Sequence, residues 1–314
     1  MHPIQIPSGN AVADRRADYA RMLSEGGDDI AAAELMEQAL ELAPQWVGGW
    51  LLLGDYCVKA GNNEAGAAAY RQVLILNPTD MFAASLKLAL IGADAVPQQP
   101  PSHYVEALFD SYANRFETSL VQKLEYRVPQ KLAAMMAESL GTDMHFRCAV
   151  DLGCGTGLMG VELKPYVDHL EGYDLSSGML VKAAEKNLYD HLAEADLSLD
   201  ADACGLFSNG RASARADLVT AADVLIYLGA LSGVFSLVAD VSAAGGYFVF
   251  STERSSEQDG FSLANSLRYQ HSHSYVEGEL SKVGFQLLKS QATTIRMDGG
   301  KPIPGFLFIA RKAI

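Results

Sequence analysis

Four acids and three glycines between residues 151 and 223 have the types and spacing to hold a ligand. In Val150-Asp151-Leu152-Gly153-Cys154-Gly155-Thr156-Gly157, glycines fall at alternate positions and an acid stands two residues before the first. Glycine tolerates the backbone angles of a tight strand-to-helix turn and lets a ligand approach the main chain with no Cβ in the way. The spacing is G-x-G-x-G. A dinucleotide turn would be G-x-G-x-x-G, and a phosphate-binding loop would continue into Gly-Lys-Ser/Thr, which is absent. Asp174, Asp196 and Asp223 each close a later segment that reads as a strand. In parallel sheets ligands bind at the carboxyl ends of the strands, and a carboxylate there can accept from two hydroxyls at once.

Strands and helices must alternate to place these acids on one edge. Strands are expected at 146–152, 169–174, 191–196, 216–222 and 246–251, with helices at 158–166, 177–187 and 228–241. Such alternation predicts a parallel sheet with right-handed crossovers. Ser274-Tyr275-Val276-Glu277 has the form of a capping box opening another helix. Segments 286–296 and 305–311, joined through Asp298-Gly299-Gly300, read as an antiparallel pair.

The first half has a different organisation. Residues 1–12 read as a tail. Within 13–91, Ala39-Leu40-Glu41-Leu42-Ala43-Pro44 is echoed by Val73-Leu74-Ile75-Leu76-Asn77-Pro78, with the prolines 34 residues apart. That is the tetratricopeptide (TPR) period. Trp50, Leu53, Gly54, Tyr70 and Pro78 resemble the TPR pattern, with Cys57 where an aromatic is expected. Residues 92–102, rich in proline, form a linker. Residues 103–314 form the second domain, beginning with amphipathic cap helices over 103–140.

Asp-x-Gly-x-Gly-x-Gly resembles motif I of the class I S-adenosylmethionine (SAM) methyltransferases. Together with the repeats and the segment Phe109-Asp110-x-Tyr112-Ala113-x-x-Phe116, the chain resembles bacterial TPR-containing class I methyltransferases. The resemblance implies a Rossmann-like α/β domain with a mostly parallel seven-stranded sheet, preceded by an all-α TPR-like domain. It implies SAM as cofactor. Gly153, Gly155 and Gly157 would lie under its amino-acid part, and Asp151 would order the turn and face the methionyl amine. Asp174 would take the ribose hydroxyls. Asp196 and Leu197 would hold the adenine, above a floor of Leu175 and Met179. Asp223 would face the reactive methyl, and Tyr112, with Phe109 and Phe116, would cap the cofactor. Tyr227 and His271 are the catalytic candidates, should the acceptor need to lose a proton, with His273 and Tyr269 as further bases. Arg268 could pair with an acidic substrate. His271-Ser272-His273 lacks a spaced third ligand, so no metal is expected.

Composition narrows the partners. The formal charge of −14 argues against nucleic acid, which draws on clustered Lys and Arg. No run is long and apolar enough for a membrane span. Cys57, Cys148, Cys154 and Cys204 form no C-x-x-C pair and fit reduced thiols in a cytoplasmic protein. The acceptor is expected to be a small molecule or a protein, with the repeats docking a protein partner or a second copy of the chain. The competing reading is a TPR scaffold whose SAM-binding domain is non-catalytic.

Overall fold

Alternation along the first strand sends Ala149 to one face of a sheet and Val150 to the other, and each joins a separate core. The computed structural model describes residues 7–113 and 125–314. They divide into two compact units, Met1–Pro97 and Gln98–Ile314.

The first unit is all helix: α1 (Ala11–Glu25), α2 (Asp29–Leu42), α3 (Val47–Lys59), α4 (Asn63–Leu76) and α5 (Ala84–Leu90). Its internal repeat is visible in the backbone. Asp28 and Asn62 cap α2 and α4 with nearly the same φ and ψ (−97°, 71° and −95°, 74°), each accepting from the amide three residues on. Carboxylate and amide side chains here satisfy amides that have no partner within the helix. Ala13, Ala17, Ala20, Ala32 and Met36 of the first pair are buried together with Trp46, Leu53 and Tyr56.

The second unit begins with α6 (Ser102–Tyr112) and α7 (Val128–Leu140), then alternates strand and helix. Strands β1 (Phe146–Leu152), β2 (Val167–Asp174), β3 (His191–Glu194), β4 (Ala216–Ala221) and β5 (Ser242–Arg254) run parallel in the order β3-β2-β1-β4-β5. Helices α8 (Leu158–Leu163), α9 (Ser177–Glu185) and α10 (Ser232–Val241) lie in the crossovers. After β5 come β6 (Phe261–Leu263), β7 (Tyr269–His271), α11 (His273–Lys282), β8 (Phe285–Asp298) and β9 (Lys301–Lys312). Strand β9 inserts antiparallel between β5 and β8.

The sheet therefore holds nine strands among the described residues, not the seven expected. The addition is the β6–β7 hairpin, whose three-residue strands are too short to show alternation in sequence. Strand β7 pairs with β5 at Glu253 and Arg254. Glu253 already faces Gly305 of β9 on its other side, so the hairpin must lie on the β4 side, beyond the end of β4. The helix expected to open at Ser274 is instead capped by Ser272, whose hydroxyl accepts from the Tyr275 amide.

Period-two alternation builds two apolar layers. Phe146, Ala149, Leu170, Leu218 and Val249 pack on Leu132 and Met136 of α7 and Met159 and Leu163 of α8. Val150, Val219, Phe248, Phe250 and Phe308 pack on Phe235 and Val238 of α10 and Val276 and Leu280 of α11. Each such large side chain contributes about 1.5–3 kcal/mol on burial, which fixes the strand ends firmly enough to carry a site. No helix among the described residues is long and apolar enough to cross a membrane.

Candidate active site

The turn after β1 is built from left-handed glycines: φ is 61° at Gly153, 55° at Gly155 and 86° at Gly157, which also precedes α8. At Gly153 the side-chain space is closed as well, since a Cβ would lie 2.3 Å from Val224 Cγ2. The turn is thus pressed against the loop that follows β4.

Asp151 lies beneath this turn and is almost wholly buried. Tyr189 Oη donates to one carboxyl oxygen at 2.7 Å and Thr220 Oγ1 to the other at 2.8 Å. Gly160 makes room for that tyrosine, because a Cβ there would meet Tyr189 Oη at 2.5 Å. Burial pushes the Asp151 carboxyl up to about 7, against the two hydroxyl bonds. A raised acid binds its proton more tightly folded than unfolded, so its contribution is complete below the ordinary value of 3.8 and is lost as pH rises to about 7. Unfolding at several pH values should therefore show stability falling by up to a few kcal/mol between about pH 4 and pH 7. Asp151→Asn should flatten that slope; an unaltered slope would assign it to other groups.

Asp174 closes β2 and is half-buried. Its two oxygens accept from the amides of Gly155 (2.8 Å) and Ser176 (2.9 Å), tying the glycine turn to the start of α9. Burial pushes its carboxyl up to about 6, opposed by those amides. Leu175 is half-buried beside it, and Met179 lies fully inside. Asp196 sits two residues beyond the end of β3, and its Oδ1 accepts from the amide and hydroxyl of Ser198 (2.9 and 2.6 Å). Leu197 next to it is half-buried.

Asp223 follows β4 in the left-handed region at φ 62°, a conformation that stores strain in a non-glycine residue. Arg296 of β8 bonds both its oxygens through Nη1 (2.8 and 2.9 Å) and bonds Glu253 of β5 through Nη2. Burial raises the pKa of both acids, and Arg296 opposes it. Tyr227 stands on the same loop with Phe109 of α6 edge-on at 5.1 Å. Arg268 hydrogen-bonds to the Tyr227 hydroxyl and pairs with Asp298 at 3.1 Å. Tyr126, fully buried, stands near Asp223, Arg296 and Asp151.

The segment 98–112 crosses the loops after β2, β3 and β4. Gln98 O accepts from the Ala230 amide (2.7 Å), and Ser102 Oγ meets Ser198 Oγ (3.2 Å). Asp110 Oδ1 accepts from Ser176 Oγ (2.5 Å) and the Gly178 amide (3.2 Å), at the positive end of α9. The side chain of Tyr112, and all of Phe116, lie outside the described residues.

His271 is turned inward against the loop after β4. It is fully buried, with Nε2 against the carbonyls of Leu228 (2.9 Å) and Gly229 (3.0 Å). Burial lowers its pKa to about 4 against those bonds, so the ring is neutral near pH 7 and Nε2 donates. His273 turns away to Ser290.

Sequence reasoning missed Tyr189, Thr220, Arg296, Glu253 and Asp110. Only Asp110 carried a signal: it stands inside the Phe109-Asp110-x-Tyr112 run, where the aromatics drew the attention.

A family model described as a methyltransferase domain matches residues 119–289, just over half the chain. The chain belongs to the methyltransferase-domain family. Methyltransferase-like protein 27 of Homo sapiens is 34% identical over 86 residues, 27% of this chain and 35% of that protein. The match thus spans about a third of that relative's length. Among solved structures, magnesium protoporphyrin IX methyltransferase (ChlM) from Synechocystis PCC 6803 with bound S-adenosylhomocysteine (SAH) matches at TM-score 0.51 and 19% identity, over 68% of this chain and 99% of that one. The Burkholderia thailandensis 1,6-didemethyltoxoflavin-N1-methyltransferase with SAH matches at 0.52 and 15%, over 70% and 94%. At these identities the likeness is one of fold. The domain is of the methyltransferase family, and the chain's own residues suit SAM as a cofactor. Asp174 stands half-exposed at the end of the strand beside the left-handed glycine turn.

Proposed function

We propose that residues 98–314 transfer the methyl group of SAM to a small-molecule or protein acceptor held between α6, the loop after β4 and the β6–β7 hairpin. The observation that carries this is Asp174 fastened to the glycine turn by the Gly155 amide at 2.8 Å. One carboxylate then orders the turn and offers its remaining lone pairs to ribose hydroxyls. Gly153, Gly155 and Gly157 carry the methionyl part. Asp151 supports the turn from below, through Tyr189 and Thr220. Asp196 and Leu197 take the adenine, with Leu175 beside it; Met179, being buried, braces α9 from inside.

When bound, SAM supplies a methyl group on a sulfonium whose leaving group is neutral, so transfer depends chiefly on position and exclusion of water. Asp223 faces that methyl. Tyr227 orients the acceptor, its hydroxyl accepting from Arg268. His271 holds the loop at 228–229 rather than reaching the acceptor. Tyr112 on α6 is assigned to the cap over the cofactor.

We further propose that the helical unit is of TPR type, on the strength of its 34-residue period in capping geometry, and that it docks a protein partner or a second copy. The free thiols fit a cytoplasmic location, and the charge of −14 fits a partner other than nucleic acid.

Titration calorimetry tests this directly. The full chain should bind SAM and SAH in preference to NAD, and a fragment beginning at Gln98 should bind them equally well. Preference for NAD would remove the methyltransferase assignment of the site. A folded fragment that fails to bind would show that the helical unit completes it.

A further inference from the structure

The charges beside Asp223 are unevenly partnered. Two buried acids, Asp223 and Glu253, are both matched by one guanidinium, Arg296, through separate nitrogens. Arg268 is a second guanidinium in the same place. Burial would lower its pKa, but Tyr227, Asp223 and Glu253 around it hold it firmly charged. Its ion pair, however, is with Asp298, which is 44% exposed at the end of β8. The Arg268 side chain itself keeps 23% of its surface open.

Position gives this residue a task. Arg268 leads into β7, next to Leu267, which is held in the left-handed region at φ 60°. The turn is closed by the Ala264 amide on Arg268 O (2.9 Å). The hairpin lies beyond the end of β4, above Asp223 and Tyr227. Aromatic surface adjoins it: Phe109 packs edge-on against Tyr227, and Tyr104 lies close enough to feel both Tyr227 and Arg268. An apolar body with one anionic end would meet rings on its flank and a guanidinium at its head.

We propose that Arg268, between Tyr227 and Asp298, is the specificity-determining residue of the acceptor subsite and selects an acceptor that bears a carboxylate. This rests on the SAM assignment above. A guanidinium offers a planar fork that matches a carboxylate with two parallel bonds, which a point charge would not do. Desolvation by the surrounding rings strengthens the pair, whereas the bond to exposed Asp298 is screened by water and gives way. The cofactor's sulfonium adds positive charge at the same edge, which also favours an anionic acceptor.

The test uses the full chain saturated with SAH, titrated with phenylacetate, benzoate and hexanoate and with their primary amides. A second arm uses the dipeptide Gly-Phe with a free and an amidated C-terminus, to distinguish a small acid from a peptide terminus. At least one carboxylate should bind about tenfold or more tighter than its amide. Arg268→Gln should remove that preference, and Arg268→Lys should keep part of it. Asp298→Asn, at the exposed end of β8, should tighten carboxylate binding and leave amide binding unchanged. SAH affinity should be the same in all three variants. Equal binding of acid and amide in both arms, binding of neither, or a preference that survives Arg268→Gln would overturn the proposal. Failure of the wild-type protein to take up SAH would instead strike the SAM assignment, and the acceptor proposal with it.

Discussion

Replacing Arg296 with methionine should lower the unfolding free energy by about 3–5 kcal/mol, the largest stability effect expected of any single change in the second unit. Arg296 is 1% exposed and its two terminal nitrogens serve different acids, one on the loop after β4 and one on β5. Methionine fills much of the same volume, so the loss reflects charge rather than a cavity. Without the guanidinium, Asp223 and Glu253 face each other in low dielectric, and both are pushed further towards the neutral acid. Their folded pKa values, already raised in the wild-type protein, then stand further above the unfolded ones, so the deficit grows as pH rises through them and shrinks in acid. Urea unfolding at pH 5 and pH 8 would show this. Adding Asp223→Asn and Glu253→Gln to the variant should recover a substantial part of the loss, because the buried charges go with their partner. A deficit under about 1 kcal/mol at pH 8 would mean that water already reaches these acids. The same pair fixes the strained backbone at Asp223, so SAM-dependent activity should fall even where the variant remains folded.

What could be foreseen in this chain was local. The glycine turn, its acid and the acid at the end of β2 lie within 24 residues of one another, and their spacing alone locates the turn and the strand end. The helical repeat was legible for a similar reason, since a 34-residue period needs no knowledge of packing. What could not be foreseen depends on chain segments far apart. Thr220 reaches Asp151 only because β4 pairs beside β1, with the two residues in register. Arg296 reaches Asp223 across 73 residues because β9 inserts between β5 and β8 and turns β8 alongside the site. In the sequence it is one of three charged residues, with Lys289 and Asp298, in a strand of mixed polarity, the usual mark of an exposed face. His271 shows the limit from the other side. Its residue type suggested a base, but type says nothing of burial, and the hairpin that carries it is too short to declare itself.

Asp174→Ala should weaken SAM and SAH binding by about 1.5–3 kcal/mol, or roughly ten- to over a hundredfold, the worth of charge-assisted hydrogen bonds. The side chain has two duties, and the experiment must separate them. It accepts from the amides of Gly155 and Ser176, so its removal also leaves two backbone donors without their partner and loosens the turn. That part should appear as a stability loss of about 1–3 kcal/mol in the absence of ligand. Asparagine is a poor control, because its amide nitrogen would face one of the two backbone donors. The pH dependence is the better discriminator. The wild-type carboxyl is pushed up to about 6, and ribose hydroxyls donate to its ionised form. Binding must therefore release a proton, and wild-type affinity should rise from about pH 5 to pH 7 and level off above. In Asp174→Ala that part of the rise should vanish, leaving a weak affinity that changes little with pH. Calorimetry in buffers of different ionisation enthalpy measures the proton directly. Unchanged affinity in a folded Asp174→Ala protein would sink the ribose assignment. A weakened affinity with the wild-type pH profile would show that Asp174 acts only through the turn it holds.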